Sequence, residues 1–478
     1  MVSAGAVDAE PYVPPAGSIP TLPVPDLSGI RRAHLIGIGG AGMSGIARLL
    51  LARGVEVTGS DLKASGVLED LRAEGASVYV GHRPEQLGEP DVVVISSAIR
   101  EGNPELAAAR ARGIPVLARA QVLAALAVGH RTLAVAGTHG KTTTTSMLAW
   151  ILDRCGLDPT FVVGGDVNEI GSGARHGRGE VFVAEADESD GSFLLLRPQV
   201  AVVTNVEEDH LDFYRGGLAE IEGAFARFIQ GSGQVVACGD DPGARAALAR
   251  AGVRALTYGT GEAVDVRVRV LREAPATGRL ALPEGEVEVA LPAPGAHNLL
   301  NAAAAVLAAG LVGAAAPEAA AALRSFPGVR RRFERRGRAR GAELYDDYAH
   351  HPTEVAATIA AARRAARGRL VVVFQPHRYT RTEAMWRQLG RSLAGADVAV
   401  VTDVYAAGED PIPGVSGQLV AEALREAAPG LPVAYLPHRA DVISFLVREV
   451  GEGDLVLTLG AGDVTTVADE VLHRSEGR

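Results

Sequence analysis

The strongest constraint on this chain is a glycine-rich turn, Gly137-Thr138-His139-Gly140-Lys141-Thr142-Thr143, set between an apolar stretch at 132–136 and a hydroxyl-rich segment that opens a helix. A strand, a turn of small residues, a lysine and a helix start, in that order, describe a phosphate-binding loop in a parallel α/β sheet. Its glycines let backbone N–H groups close on phosphate oxygens, and the helix N-terminus adds positive partial charge. Lys141 is expected to neutralise the β- and γ-phosphates of ATP, and Thr142 to offer its hydroxyl to Mg²⁺. The common form G-x-x-x-x-G-K-[ST] has glycine where this chain has Val135, so the loop is a shortened variant. Composition sharpens the reading of the lysine. Of 47 basic residues, only Lys63 and Lys141 are lysines. Lysine is a compact point charge and arginine a wide planar fork, so Lys141 stands where that difference matters.

The loop cannot account for all 478 residues, a length that suggests about three domains. Residues 1–28 are rich in Pro, Ala and Gly and read as a disordered or extended tail. Strands are expected at 32–38, 55–60 and 91–96, with helices at 43–53 and 104–112, making a first α/β unit. A second unit has strands at 132–136, 181–184, 200–204 and 234–237, then a β-rich stretch over 264–291 and an alanine-rich helix over 298–309. A third has strands at 343–345, 370–375, 398–403, 433–436 and 455–459 alternating with helices. This alternation predicts an α/β protein of parallel, doubly wound sheets.

Composition excludes several classes. No run of 18 apolar residues and no basic-then-apolar leader occurs, so neither membrane insertion nor secretion is expected. Two cysteines, Cys155 and Cys238, suggest reduced buried thiols and a cytoplasmic setting. Net charge is −10, and the one basic cluster, Arg330-Arg331-Arg332 with Arg335-Arg336, reads as a local anion site or solvated linker. No nucleic-acid partner is expected.

Further motifs fall where expected strands end. Glu185, Asp187, Glu188 and Asp190 follow the strand at 181–184, where a second metal anchor belongs in a phosphate-loop domain. His210 follows the next strand, at a carboxyl edge where a functional role and a surface or satisfied core histidine weigh about equally. Gly37-Ile38-Gly39-Gly40-Ala41-Gly42, with Asp61 ending the next strand, fits a fingerprint for a phosphate-bearing nucleotide. Asp346-Asp347-Tyr348-Ala349-His350-His351-Pro352 and Gln375-Pro376-His377-Arg378-Tyr379-Thr380-Arg381 follow strands of the third unit and suit an anionic substrate or intermediate. Asp403, Tyr405, Gly408 and Glu409, and Gly460-Ala461-Gly462-Asp463, occupy equivalent ends.

With these segments in view, the sequence resembles the Mur ligase family, and within it the alanine-adding branch. The matching segments are 37–43, 137–145, 185–190, 204–212, 297–301, 331–333, 346–354, 374–381, 403–409 and 460–463, spanning all but the proline-rich tail. The resemblance implies a Rossmann-like UDP-sugar domain at 29–129, a P-loop ATPase domain at 130–328 and a Rossmann-like amino-acid domain at 329–478. It implies that Gly39, Gly40, Ala41 and Gly42 cradle a UDP diphosphate, with Ser96 and Ser97 lining the same site and Asp61 close by. Thr142, Glu185 and His210 would approach Mg²⁺, while His297, Asn298 and Asn301 would lie around ATP. Siblings carry a modified lysine near a second metal. No lysine follows Lys141 here, in keeping with the alanine-adding branch.

The implied partners are UDP-N-acetylmuramate, L-alanine and ATP, with Lys141, His351, Arg378 and Arg381 as candidate catalytic groups. Monomer and homodimer both stay open. A nicotinamide oxidoreductase built on the loop at 37–42 leaves Lys141 and its carboxylates without a task. A nucleotide-switch binding module leaves the first and third units without one.

Overall fold

The computed structural model describes residues 23–168, 171–211 and 213–476. The expected tail lies outside the described residues up to position 22, as does Asp212 of the segment 204–212. Residues 23–27 carry neither helix nor strand. The described residues form two compact units, one running up to Val268 with Leu280–Val287 and Leu300–Leu323, the other made of Arg269–Arg279, Glu288–Leu299 and the chain from Arg324 onward.

The first unit holds two sheets. One is wholly parallel, in the order Ser77–Val80, Glu56–Asp61, Arg32–Ile36, Val92–Ile95, Val116–Ala118. Its order reverses between Arg32–Ile36 and Val92–Ile95, the crevice where doubly wound sheets take ligands. The loop at 37–42 leaves the first of these strands, and Ser96 and Ser97 leave the second. The central strands Arg32–Ile36 and Val92–Ile95 are buried along nearly their whole length, as strands covered on both faces are. Asn103 starts the helix Pro104–Ala111 by accepting hydrogen bonds from the Glu105 and Leu106 amides, at 2.9 and 3.2 Å.

In the second sheet, Arg131–Ala136 lies between Val200–Val203 and Val181–Glu185, all parallel. Gln234–Cys238 and Leu256–Gly259 extend one side. Thr160–Val167 and its antiparallel partner Ser172–Arg175 close the other. Val135 and Ala136 are fully buried, so the position where a longer loop would carry glycine is core. The helix Ala41–Ala52 packs on this hairpin. A Cβ on Gly45 would stand 3.1 Å from Val162 and 3.2 Å from Ala174.

The second unit has a six-stranded sheet, ordered Glu334–Ala339, Ala342–Asp347, Leu455–Leu459, Leu370–Phe374, Val398–Val401, Val433–Tyr435. The first pair is antiparallel and the rest are parallel. The parallel strands place 347–351, 460–463, 375–381 and 402–409 on one carboxyl edge. The β-rich expectation over 264–291 resolves into strands Val266–Glu273, Ala276–Leu282 and Gly285–Ala290.

The arginine cluster is neither linker nor open anion site. Arg335 and Arg336 belong to the strand Glu334–Ala339 and pair with Glu343 at 2.6 Å and Asp469 at 2.5 Å. Arg331 bonds Asp346 at 3.2 Å and the Gly460 carbonyl at 2.6 Å. Arginine's fork suits this bridging of a carboxylate and successive carbonyls. Both cysteines are free thiols, and no described helix is long and apolar enough to cross a membrane.

Candidate active site

The strand Arg131–Ala136 delivers the phosphate loop, and the helix Lys141–Arg154 carries it away. Gly140 has φ 79°, and a Cβ there would meet Asn301 Oδ1 at 2.6 Å, so both the backbone and its neighbour call for glycine. The neighbouring strand end holds the loop in place. Asn205 accepts from the His139 amide at 2.8 Å and donates to its carbonyl at 3.0 Å. Thr204 Oγ1 donates to that same carbonyl at 2.6 Å, and Thr138 Oγ1 accepts from the Glu207 amide at 2.8 Å. Buried hydroxyls at the start of the helix's second turn bond back onto first-turn carbonyls, Thr145 to Lys141 and Ser146 to Thr142, each at 2.7 Å. Thr143 is half-buried beside them.

Lys141 Nζ donates to the Gly137 carbonyl at 2.6 Å and to Glu188 Oε1 at 2.9 Å. Burial works against its charge, but Glu188, Asp187 and Glu185 outweigh that and hold its ammonium above the usual lysine range. It is therefore a permanent cation at the mouth of the loop. Burial likewise opposes ionisation of Asp187, yet Arg119, Lys141 and His210 keep that carboxyl below the usual aspartate range.

Thr142 Oγ1 lies 3.2 Å from Glu185 Oε1, while Glu185 Oε2 accepts from the Gly164 amide at 2.7 Å. A hydroxyl and a carboxylate converging at a phosphate loop are hard oxygen donors of the kind Mg²⁺ takes, so this pair fits that ion. A Cβ on Gly164 would stand 2.8 Å from both Glu185 oxygens, which makes Gly164 the seat of that carboxylate. His210 sits in a left-handed turn at φ 53°, its Nε2 3.6 Å from Asp209 Oδ2.

At the first sheet, the Gly39 amide donates to Asp61 Oδ2 at 3.0 Å and the Gly40 amide to the Gly37 carbonyl at 3.2 Å. Asp61 thus shapes the loop from beneath, and the helix amides beginning at Ala41 are the ones presented to an anion. A cavity of about 310 Å³ runs from Gly40, Ala41, Gly42, Ser96 and Ser97 to Glu185 and Asp187. The glycine-rich loop of the first sheet and the acidic edge of the second therefore open into one space.

In the second unit, His351 is buried and precedes the helix Pro352–Ala365, where Glu354 accepts from its amide at 3.4 Å. Arg378 has φ 69° and its guanidinium holds Glu409 at 2.6 Å. Arg381 Nη1 lies 3.4 Å from His377 Nδ1. The His377 ring stacks on Tyr405 at 5.8 Å and meets His350 edge-on at 5.4 Å. Burial, helped by His350 and the two arginines, drops the pKa of His377 to about 3. Burial lowers that of His297 to about 4, with Glu354 opposing. Asn298 donates to the Pro294 carbonyl at 2.7 Å. Asp347 accepts from the Phe333 and Ala349 amides at 2.7 and 2.8 Å, and burial raises its pKa to about 6.

The structure thus brings Gly137, Gly140, Lys141, Thr142, Glu185 and Asn301 together, and places Gly40, Ala41, Gly42, Ser96 and Ser97 on one cavity. It holds Arg378 on Glu409 and joins Arg381 to His377. Sequence reasoning missed Gly164 and Arg119. Gly164 lies in a strand whose Gly164-Gly165 pair hides its pattern, and Arg119 is one arginine among many.

This combination of a phosphate-loop domain with two further doubly wound sheets defines a nucleotide-dependent enzyme of several α/β units. Family models describe the same course: "Mur ligase family, catalytic domain" matches 32–131, "Mur ligase middle domain" 135–309 and "Mur ligase, glutamate ligase domain" 331–462. A UDP-N-acetylmuramate–L-alanine ligase of Saccharopolyspora erythraea is 50% identical over 463 residues, 94% of each chain. One from Kineococcus radiotolerans is 52% identical over 92% of this chain and 96% of its own. A solved UDP-N-acetylmuramate–alanine ligase from Thermotoga maritima superposes with a TM-score of 0.81 at 28% identity, covering 93% of this chain and 99% of its own. The chain belongs to the Mur ligase family.

Proposed function

We propose that the chain is a UDP-N-acetylmuramate–L-alanine ligase, joining L-alanine to the lactyl carboxylate of UDP-N-acetylmuramate at the expense of ATP in peptidoglycan synthesis. The observation that carries this reading is the single cavity linking the loop at 37–42 to Glu185, whose carboxylate reaches Thr142 of the phosphate loop. A nucleotide-sugar lying along that cavity would end beside the γ-phosphate of ATP.

The lactyl carboxylate attacks the γ-phosphorus and ADP leaves, giving an acyl phosphate. The alanine amine then adds to the activated carbonyl, and the tetrahedral intermediate expels phosphate. Lys141 serves the first step, because its fixed charge offsets the repulsion between two anions. Mg²⁺ held by Thr142, Glu185 and His210 would supply further charge neutralisation at the phosphates. His297, Asn298 and Asn301 would border the nucleotide. His351, Arg378 and Arg381 would hold the amino acid and the charge of the intermediate. Functional domains at 29–129, 130–328 and 329–478 would each bring one substrate, in a cytoplasmic enzyme acting as monomer or homodimer.

Acyl-phosphate chemistry leaves an isotopic mark. With oxygen-18 in the lactyl carboxylate, one labelled oxygen should leave in each released phosphate. Unlabelled phosphate would overturn the mechanism.

A further inference from the structure

Among the described residues lining the cavity between the two sheets, Glu185 and Asp187 are acidic and Arg119 is the one basic side chain. An acceptor bearing a diphosphate and a carboxylate must enter beside two carboxylates, and repulsion there would oppose its binding unless a cation answers it. Lys141 is turned to Glu188 and the phosphate loop. Arg119, first residue of the helix Arg119–Ala127, is differently placed. Its guanidinium lies against the loop of the first sheet, where a Cβ on Gly42 would come 2.7 Å from Nη1 and 3.2 Å from Cδ. Gly42 therefore leaves room for this arginine as well as for a ligand. On the other side, Nη2 stands 3.4 Å from Asp187 Oδ2. That is long for a charge-assisted hydrogen bond, which normally spans about 2.7–2.9 Å. The guanidinium has five N–H donors and its side chain is 22% exposed, so donors remain for a ligand.

We infer that Arg119 is an acceptor-binding residue: it lies loosely on Asp187 in the free protein and transfers to an oxyanion of the UDP-sugar, its diphosphate or its lactyl carboxylate, when that substrate enters. The inference rests on the acceptor reading above and adds the residue that answers the acceptor's charge. Asp187 is then a competitor for the arginine rather than its structural anchor.

The test is equilibrium binding without ATP, by calorimetry at fixed ionic strength, using UDP-N-acetylmuramate and UDP as separate probes. Loss of a hydrogen bond to a charged group lowers affinity by about 10- to 150-fold, and Arg119→Gln should weaken UDP-N-acetylmuramate by that factor. The KM for ATP should stay within about twofold, because the phosphate loop is untouched. A matching loss for UDP assigns the diphosphate as the partner, and an unchanged UDP affinity assigns the carboxylate. Asp187→Asn should move the other way and tighten the acceptor by freeing the arginine. If Arg119 only tied the two sheets together, both variants would weaken binding alike, with parallel losses in melting temperature. That result, or unchanged acceptor affinity in Arg119→Gln, overturns the inference alone. Absence of acceptor binding by the unaltered protein overturns the parent reading as well.

Discussion

Lys141 shows how much chemistry one side chain can carry in an arginine-rich chain. Its ammonium meets the Gly137 carbonyl and Glu188 at 2.6 and 2.9 Å, a fit that a point charge makes and a planar fork does not. Removing it should cost roughly 10³-fold or more in turnover, the scale of losing a charge aimed at the transition state. UDP-N-acetylmuramate affinity should change less than about twofold in Lys141→Ala. Stopped turnover with intact acceptor binding, measured by calorimetry, is the expected pair of results; loss of both would contradict the separation of the two sites. His297 supports a prediction of another kind. Its pKa is about 4 when folded against an ordinary 6.5, so between these values the unfolded chain binds the proton and the native one does not. Stability is therefore lost as pH falls through that window, by up to roughly 3 kcal/mol at about 1.4 kcal/mol per pH unit. Denaturant midpoints should fall from pH 6.5 to 4 in the unaltered protein and fall less in His297→Gln; equal slopes would refute the assignment. Asp347, raised to about 6, acts in the opposite sense and recovers part of that loss as it takes up a proton.

At the scale of elements, the site depends on a hairpin that sequence pattern did not show. Thr160–Val167 carries Gly164, whose amide bonds Glu185 at 2.7 Å and whose missing side chain makes room for both carboxylate oxygens. Gly164→Ala should displace Glu185 and raise the Mg²⁺ concentration for half-maximal activity about 10- to 100-fold, as changes behind a metal ligand commonly do. A titration of activity against Mg²⁺ checks this, and an unchanged midpoint would contradict the role of the hairpin. Sequence showed the long apolar strands, such as Val181–Glu185 and Leu455–Leu459, because both faces of a covered parallel strand must be apolar. Ser77–Val80 was not legible because it is short and mostly exposed, and Val116–Ala118 because three residues running straight into a helix show no period of their own. The phosphate loop was legible because a lysine between glycine and threonine at a helix start has few other uses. Arg119 was not, since its meaning depends on the approach of Gly42 and Asp187, each more than 60 residues from it along the chain. The arginine cluster misled because charge pattern alone cannot reveal that Asp346 and Asp469 would answer it.

At the scale of the whole molecule, the two sheets of the first unit and the sheet of the second each gather their chemistry at the carboxyl ends of parallel strands. In the first unit this arrangement opens the loop at 37–42 and the carboxylates of Glu185 and Asp187 into one cavity. In the second it collects His350, His377, Arg381 and Tyr405 on one edge. A ligase needs such division, because an acyl phosphate must meet an amine before it meets water. The most direct test is phosphate release from ATP measured with neither acceptor nor amine, with UDP-N-acetylmuramate alone, with L-alanine alone, and with both. Sustained release, matched mole for mole by new amide, is expected only when both are present with Mg²⁺. Steady release that ignores both added substrates would contradict the ligase reading.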